Sequence, residues 1–206
     1  VSQDDPGNAT MVDMVFPLAG HSLPRDHAQA LQQALLQALP WLTGEPQAGI
    51  HAVKLVPGVE NQALLSQRTR LLLRLPRERV ALAQMLAGRT IEVSGCTMQL
   101  GTPHLRELLP HTTLYAPAVA APGADEAAFM QAVAGELQAL AVRAQTVCGK
   151  RSSRPLQGQT LTTFSLMLHA LSPPDALRLL EQGLGPHRLL GCGIFVPHKS
   201  AAAVGS

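Results

Sequence analysis

The order of local patterns along the chain constrains its fold more than any single motif, because one six-element pattern occurs twice. Met11 to Phe16 reads as a short buried strand, and Arg25 to Leu39 places Ala28, Leu31, Leu35, Ala38 and Leu39 at helical spacing. His51 to Val56 and Arg70 to Leu75 read as strands. Pro76 then opens a helix through Leu86, since its fixed φ suits a first helical position, and Ile91 to Leu100 gives short strands broken at Gly95. The second half repeats this order. Thr113 to Ala120 is strand-like, and Ala124 to Leu140 carries Phe129, Val133, Leu137 and Leu140 on one helical face. Arg143 to Cys148 and Thr160 to Leu168 are strands, the latter turning Phe164, Leu166 and Leu168 inward. Ser172-Pro173-Pro174-Asp175 caps a helix to about Gln182, and Ile194 to Val196 closes the pattern.

Strand-helix-strand-strand-helix-strand is the order of a ferredoxin-like unit. The sequence therefore predicts an α+β chain of two tandem ferredoxin-like (βαββαβ), RRM-like domains, at 11–103 and 104–199. The junction falls near Thr102 to Thr112, where Pro103 and Pro110 interrupt the pattern. Residues 1–10 and 200–206 read as tails, with Met11 as a natural start. An antiparallel sheet covered by helices on one face leaves its other face open to a partner. Two such sheets make a cleft between the domains.

Composition narrows the partner. A 46% hydrophobic content over 206 residues supports a core and excludes a disordered chain. Aromatics make up only 3%, too few to grip a single strand by stacking many bases, so any nucleic-acid contact relies on backbone and shape. The formal charge of +2 does not by itself demand nucleic acid, although a local basic surface is hidden in such an average. Cys96, Cys148 and Cys192 are scattered without metal-ligand spacing, and an odd count argues against a disulfide framework. A reducing cytoplasm fits this usage. No apolar run approaches the roughly 20 residues of a membrane span, so no membrane partner is expected.

Near the end of the chain, Gly183, Gly185, Gly191 and Gly193 surround His187 and Arg188 and lead into the apolar run Ile194-Phe195-Val196. Glycine lets a backbone approach a ligand closely, and free N–H groups beside cations cradle phosphate. The alternative is a helix C-cap, a turn and a strand, which needs only two of the four glycines.

Several runs together resemble a known family. They are Phe16-Pro17-Leu18-Ala19-Gly20, Leu23-Pro24-Arg25-Asp26-His27, Leu39-Pro40-Trp41-Leu42, Gly49-Ile50-His51, Arg68-Thr69-Arg70-Leu71, Leu73-Arg74-Leu75-Pro76, Leu100-Gly101 and the loop and strand from Gly183 to Pro197. Their order and spacing, from about Val12 to Pro197, resemble the MYXAN-type branch of the CRISPR repeat-processing endoribonucleases of the RAMP superfamily. The resemblance implies tandem ferredoxin-like domains and cleavage of precursor CRISPR RNA within the repeat. It also implies chemistry without metal or other cofactor, and products with a 2′,3′-cyclic (or 3′) phosphate and a 5′-hydroxyl. Partners so implied are the repeat RNA and subunits of a CRISPR effector complex.

Metal-free RNA cleavage needs a base for the ribose 2′-hydroxyl, an acid for the departing 5′-oxygen and cations for the charged phosphorane. Histidine suits the first two roles, and Lys, Arg or N–H donors the third. His27 is the first candidate. It lies in the first turn of the opening helix beside the apolar stripe, and the resemblance places a catalytic His on or near this helix. The competing reading is a surface His beside Asp26. His51, at the start of a strand, is either the acid partner or a buried His satisfied by backbone. His21, in the strand-to-helix loop, is a substitute for His27 in the same role. For RNA binding the candidates are Gly183, Gly185, His187, Arg188, Gly191 and Gly193 of the loop. Lys150, Arg151 and Arg154 join them on a hairpin tip, as do Arg68 and Arg70, which alternate with Arg74 on one face of a strand. Solvated turns and an exposed sheet face are the bland readings of these cations. No histidine spacing points to a metal site. Two other functions remain open: a non-catalytic crRNA-binding subunit of an effector complex, and a ligand-binding or assembly module whose tandem domains serve packing.

Overall fold

A computed structural model describes residues 9–198. The parts of the 1–10 and 200–206 tails at 1–8 and 200–206 lie outside the described residues. Ala9 and Thr10 are packed: Ala9 is buried, and Thr10 hydrogen-bonds to the Glu181 carboxylate.

The first unit comprises β1 (Met11–Ala19), β2 (Ser22–Pro24), α1 (Ala28–Ala38), β3 (Gly49–Ile50), β4 (Val56–Pro57), β5 (Gln62–Leu64) and β6 (Arg70–Pro76). It continues with α2 (Val80–Ala83), β7 (Thr90–Val93), β8 (Cys96–Leu100) and β9 (His104–Glu107). Its main sheet has the order β3-β6-β1-β8-β7. Strand β1 meets β8 through Leu18 and Ala19 and β9 through Val12 to Val15. The second unit comprises β10 (Leu114–Ala120), α3 (Glu126–Ala139), β11 (Gln145–Leu156), β12 (Gln159–His169), α4 (Pro173–Gln182) and β13 (Val196–Pro197), with sheet order β11-β12-β10-β13. In both sheets the second, third, first and fourth strands of a βαββαβ unit lie side by side. The chain is thus a tandem of ferredoxin-like folds.

Alternation along the strands builds the core. Val12, Met14, Phe16 and Leu18 join Leu71, Leu73 and Leu75 of β6 and Leu31 and Leu35 of α1 in one cluster. Leu35 is fully buried, and such a side chain contributes about 2 kcal/mol. By the same alternation Asp13 faces away from α1, as does Arg74, its partner across the β1–β6 pair. Around the second core, Leu114, Ala116, Leu166 and Leu168 pack against Phe129 and Val133 of α3 and Leu179 of α4. The Ser172 cap is present: its hydroxyl accepts from the Asp175 N–H at 3.3 Å, with proline in the first turn.

The local pattern departs from expectation in four places. Helix α1 starts at Ala28 rather than Arg25, because Ser22 to Pro24 pair with β5 in a small third sheet. Regular pairing near His51 covers only Gly49 and Ile50; the chain then leaves the sheet edge to form the β4–β5 hairpin. His104 to Glu107 pair with β1 and so lie in the first sheet. Lastly, Gly149 to Arg154 are not a hairpin tip. They run within β11, and the turn is at Gln157 and Gly158, both with positive φ. Gly149 allows a close approach instead, since a Cβ there would lie 2.3 Å from the Ser165 Oγ.

Candidate nucleic-acid interface

Between the open face of the first sheet and the second unit lies a cavity of about 680 Å³. Asp13, His51, Arg70, Arg74 and Arg106 line it on one side, and Pro117, Val196 and Pro197 on the other. Lys54, Arg68 and His111 also line it. Five Lys and Arg side chains thus meet two carboxylates, Asp13 and Glu107, and Glu107 is engaged with Arg77. An elongated polyanion suits such a wall.

At the cleft's inner end is a charged cluster. Arg74 is 1% exposed and donates from Nε (2.8 Å) and Nη2 (3.1 Å) to the Asp13 carboxylate. Its Nη1 reaches the carbonyls of Leu180 (2.9 Å) and Phe195 (2.8 Å), so one side chain ties the two units together. Arg106 Nη2 donates to Asp13 Oδ2 at 2.7 Å, and His51 Nε2 lies 3.2 Å from Asp13 Oδ1. Burial opposes ionisation of Asp13. The His51 hydrogen bond and the charges of His51 and Arg74 override it and hold the carboxyl far below the usual carboxylate range. Burial also pushes His51 below its ordinary value; Asp13 opposes this, and the charges of Arg74 and Arg106 add to it.

His27 lies elsewhere. It is the residue that caps α1, half-buried, with Nδ1 2.8 Å from the Pro24 carbonyl oxygen. His51 touches Asp13 on the face turned away from α1, whereas His27 sits at the start of α1 against Pro24. The sequence offers His51 either as the acid partner of His27 or as a buried His satisfied by backbone; its side chain is instead bonded to the Asp13 carboxylate. His21 is exposed, one residue before β2.

The glycine loop also differs from its expected role as a phosphate cradle. Its glycine N–H groups are already used: Gly183 bonds to Leu179, Gly191 to Arg188, Gly193 to Ala118, and Gly185 to the Glu136 carboxylate. Arg188 is 6% exposed, and all five of its N–H groups point at carbonyls. Nε and Nη2 donate to Gln47 (3.1 and 2.9 Å), Nη2 also to Glu181 (3.2 Å), and Nη1 to Gln182 (2.9 Å) and Gly193 (3.3 Å). Burial first, and then the charge of Arg74, lowers the Arg188 guanidinium to about 10, with Asp13 opposing; it remains a cation at neutral pH. The glycines are required by the backbone. At Gly193, φ is +66° and a Cβ would lie 1.9 Å from the Leu184 carbonyl oxygen. Gly191 also lines the cleft, and His187 is exposed.

The remaining cations divide. Arg68 is exposed at the cleft and Arg70 half-buried there, donating to the Gln67 and Thr69 carbonyls. Lys150 and Arg151 are exposed on β11, Arg151 donating to the Ala124 carbonyl at 3.1 Å. Arg154 turns back onto the glycine loop, toward the Leu190 carbonyl and the Cys192 Sγ. Sequence reasoning missed Asp13, Lys54, Arg106 and His111 as cleft residues. Asp13 alone carried a signal, as the single charge in the apolar run Met11 to Phe16.

Among the described residues, no three His, Cys, Asp or Glu side chains are grouped as a metal would need. No helix among them is long and apolar enough to cross a membrane.

Comparison with known proteins identifies the lineage. The family model "Cas6 Crispr" matches residues 12–200. A Myxococcus xanthus protein, "CRISPR-associated endonuclease Cas6", is 38% identical over 196 residues, covering 95% of this chain and 85% of the relative. The fold matches the solved structure of a "CRISPR associated protein Cas6" with a TM-score of 0.68 at 8% identity, over 92% of this chain and all of that one. It also matches "An RAMP protein binding different RNA substrates", with a TM-score of 0.60 at 10% identity over 89% and 98% of the two chains. Doubled ferredoxin-like topology, the extent of the family match and the identity to the Myxococcus relative together show that this chain belongs to the Cas6 family of CRISPR-associated proteins.

Proposed function

We propose that this chain is an endoribonuclease that cuts precursor CRISPR RNA within its repeat, without a metal ion, and that the RNA strand follows the cationic cleft between the two units. Family membership and the relative's name as an endonuclease support the activity. The observation that carries the chemistry is the His27 ring. The Pro24 carbonyl oxygen can only accept, so Nδ1 holds the proton and Nε2 holds the lone pair. Nε2 takes the proton of the ribose 2′-hydroxyl, and the 2′-oxygen attacks the adjacent phosphorus. The bond from phosphorus to the 5′-oxygen breaks, and that oxygen leaves with a proton from an acid or from water. The products carry a 2′,3′-cyclic phosphate and a 5′-hydroxyl.

The test is single-turnover cleavage of the host repeat RNA in excess EDTA, with both fragment ends mapped. Wild-type protein is expected to give cyclic-phosphate ends. His27→Ala is expected to cut about 10²-fold more slowly or worse, with affinity nearly intact. Cleavage by His27→Ala at the normal rate removes His27 from the mechanism. Tight binding with no cleavage by the wild type makes the chain a non-catalytic crRNA-binding subunit instead.

A further inference from the structure

His51 and Asp13 form a built feature of the cleft wall that the cleavage chemistry at His27 does not use. Asp13 is 1% exposed and acts only as an acceptor, so the His51 nitrogen facing it, Nε2, carries a proton. The ring contacts Asp13 from β1, which also holds Arg74 from β6 and Arg106 from β9, so both arginine charges act on it; Lys54, Arg68 and Arg70 also line the wall. Burial and the two nearest arginines favour the neutral ring, which then has a bare lone pair at Nδ1. Among the described residues Nδ1 has no hydrogen-bond partner, yet it is not sealed off from solvent, and the ring lines the cleft. The surrounding Lys and Arg side chains offer only donors. They suit phosphates, which RNA and DNA share. An acceptor held rigidly among phosphate-binding donors suits a hydroxyl on the same backbone, and the ribose 2′-hydroxyl is the one that distinguishes RNA from DNA.

We infer that Asp13 positions His51 so that its Nδ1 accepts a hydrogen bond from a ribose 2′-hydroxyl of the bound strand, making this pair an RNA-over-DNA discriminating contact away from the scissile phosphate. The inference rests on the reading that repeat RNA lies in the cleft. Asp13 is the positioning residue and His51 the contact.

The experiment uses the full chain and repeat RNAs blocked against cleavage by a 2′-deoxy nucleotide at the cut site. Each RNA also carries a second single 2′-deoxy substitution, scanned along the strand. For wild-type protein one scanned position distant from the cut is expected to weaken binding roughly 3- to 10-fold, the range of one hydrogen bond. His51→Leu is expected to bind the unscanned RNA more weakly by that factor and to lose sensitivity at that position alone. His51→Gln, which keeps a side-chain acceptor, is expected to recover part of it. Uniform weakening by His51→Leu with the position-specific effect retained overturns the assignment and leaves His51 a packing residue. Arg68→Ala with Arg70→Ala tests the underlying reading separately. Unchanged affinity and salt dependence in that double variant would place the RNA outside the cleft and overturn both.

Discussion

Removing Arg188 separates a structural loop from a phosphate-binding one. Its guanidinium joins the first unit, through the Gln47 carbonyl, to the C-terminal end of α4 and to Gly193. Arg188→Ala removes a donor from four carbonyls; Gly193 keeps the Leu184 N–H, and the Gln47, Glu181 and Gln182 carbonyls lose the partner the guanidinium supplies, in a site where the arginine itself is 6% exposed. An orphaned buried acceptor costs about 1 to 3 kcal/mol, while deleting the guanidinium relieves its own burial cost. The low end for the three carbonyls left without a partner, less that relief, gives a net loss of about 2 to 3 kcal/mol. In a chain of this size that is a fall in Tm of about 5 to 10 °C. Arg188→Lys should recover only part, because an ammonium offers three donors from one point where the guanidinium spreads five across a plane. The assays are thermal unfolding and RNA affinity across a salt series, the latter well below the variant's Tm. Each phosphate contact to a single strand adds about 0.7 to the slope of log affinity against log salt. The expected result is a large stability loss with an unchanged slope. A variant that melts with the wild type and shows a slope shallower by about that amount would return Arg188 to the phosphate contacts and refute the reasoning.

Two further outcomes follow from the same geometry. Gly193→Ala should cost about 3 kcal/mol, combining left-handed backbone with a clash against the Leu184 carbonyl. Gly88→Ala, at φ +74° with nothing near its Cβ position, should cost only about 1 kcal/mol; equal urea midpoints for the two would contradict this. Acid should weaken the fold in a defined window. His51 titrates below its ordinary value of 6.5 in the folded chain because it is buried, so the unfolded chain binds the extra proton and stability falls as pH drops below 6.5. Asp13, also depressed, keeps its contribution until pH passes below the ordinary carboxylate range. Urea midpoints between pH 7.5 and 5 should therefore decline in the wild type and less steeply in His51→Leu, and parallel slopes would exclude His51 as the source.

The doubled architecture was legible because it is written in short-range periodicity. Leu31 and Leu35 recur at helical spacing, Phe164, Leu166 and Leu168 alternate, and Ser172 with its prolines marks a helix start. What stayed hidden depends on contacts across the chain. Nothing near Arg188 in sequence announces an acceptor 141 residues away at Gln47, and an arginine among glycines looks the same whether it faces phosphate or backbone. Arg74 shares a strand face with Arg70, as alternation requires, but one is enclosed by the second unit and the other faces the cleft. The hairpin was misplaced for a local reason. The cations Lys150, Arg151 and Arg154 suggest a solvated tip, whereas Gly149 beside them makes room for Ser165 within the strand, and the turn belongs to Gln157-Gly158. Asp13 was the missed clue: a carboxylate within an apolar strand must find cations on the far face of its sheet.

The different settings of the two imidazoles, His27 at the start of α1 and His51 on Asp13 in the cleft, underlie the division of functions proposed above. A base and an acid that serve one phosphodiester must both reach it within hydrogen-bond distance. On the proposed reading His51, bound to Asp13 in the cleft wall, serves strand recognition there. With His27 as the proposed base, the leaving-group proton is assigned to a donor near the start of α1. His21 is the histidine best connected to that side: β2 begins one residue after it and ends at Pro24, whose carbonyl orients His27. Solvent is the other donor. The same β2 strand is paired to β5 and anchored by the fully buried Leu23, so the segment holding both histidines is fixed to the core rather than free to swing. Loss of His27 should thus appear in the rate of the bound complex, and loss of His51 in the affinity and in the sugar preference of the strand.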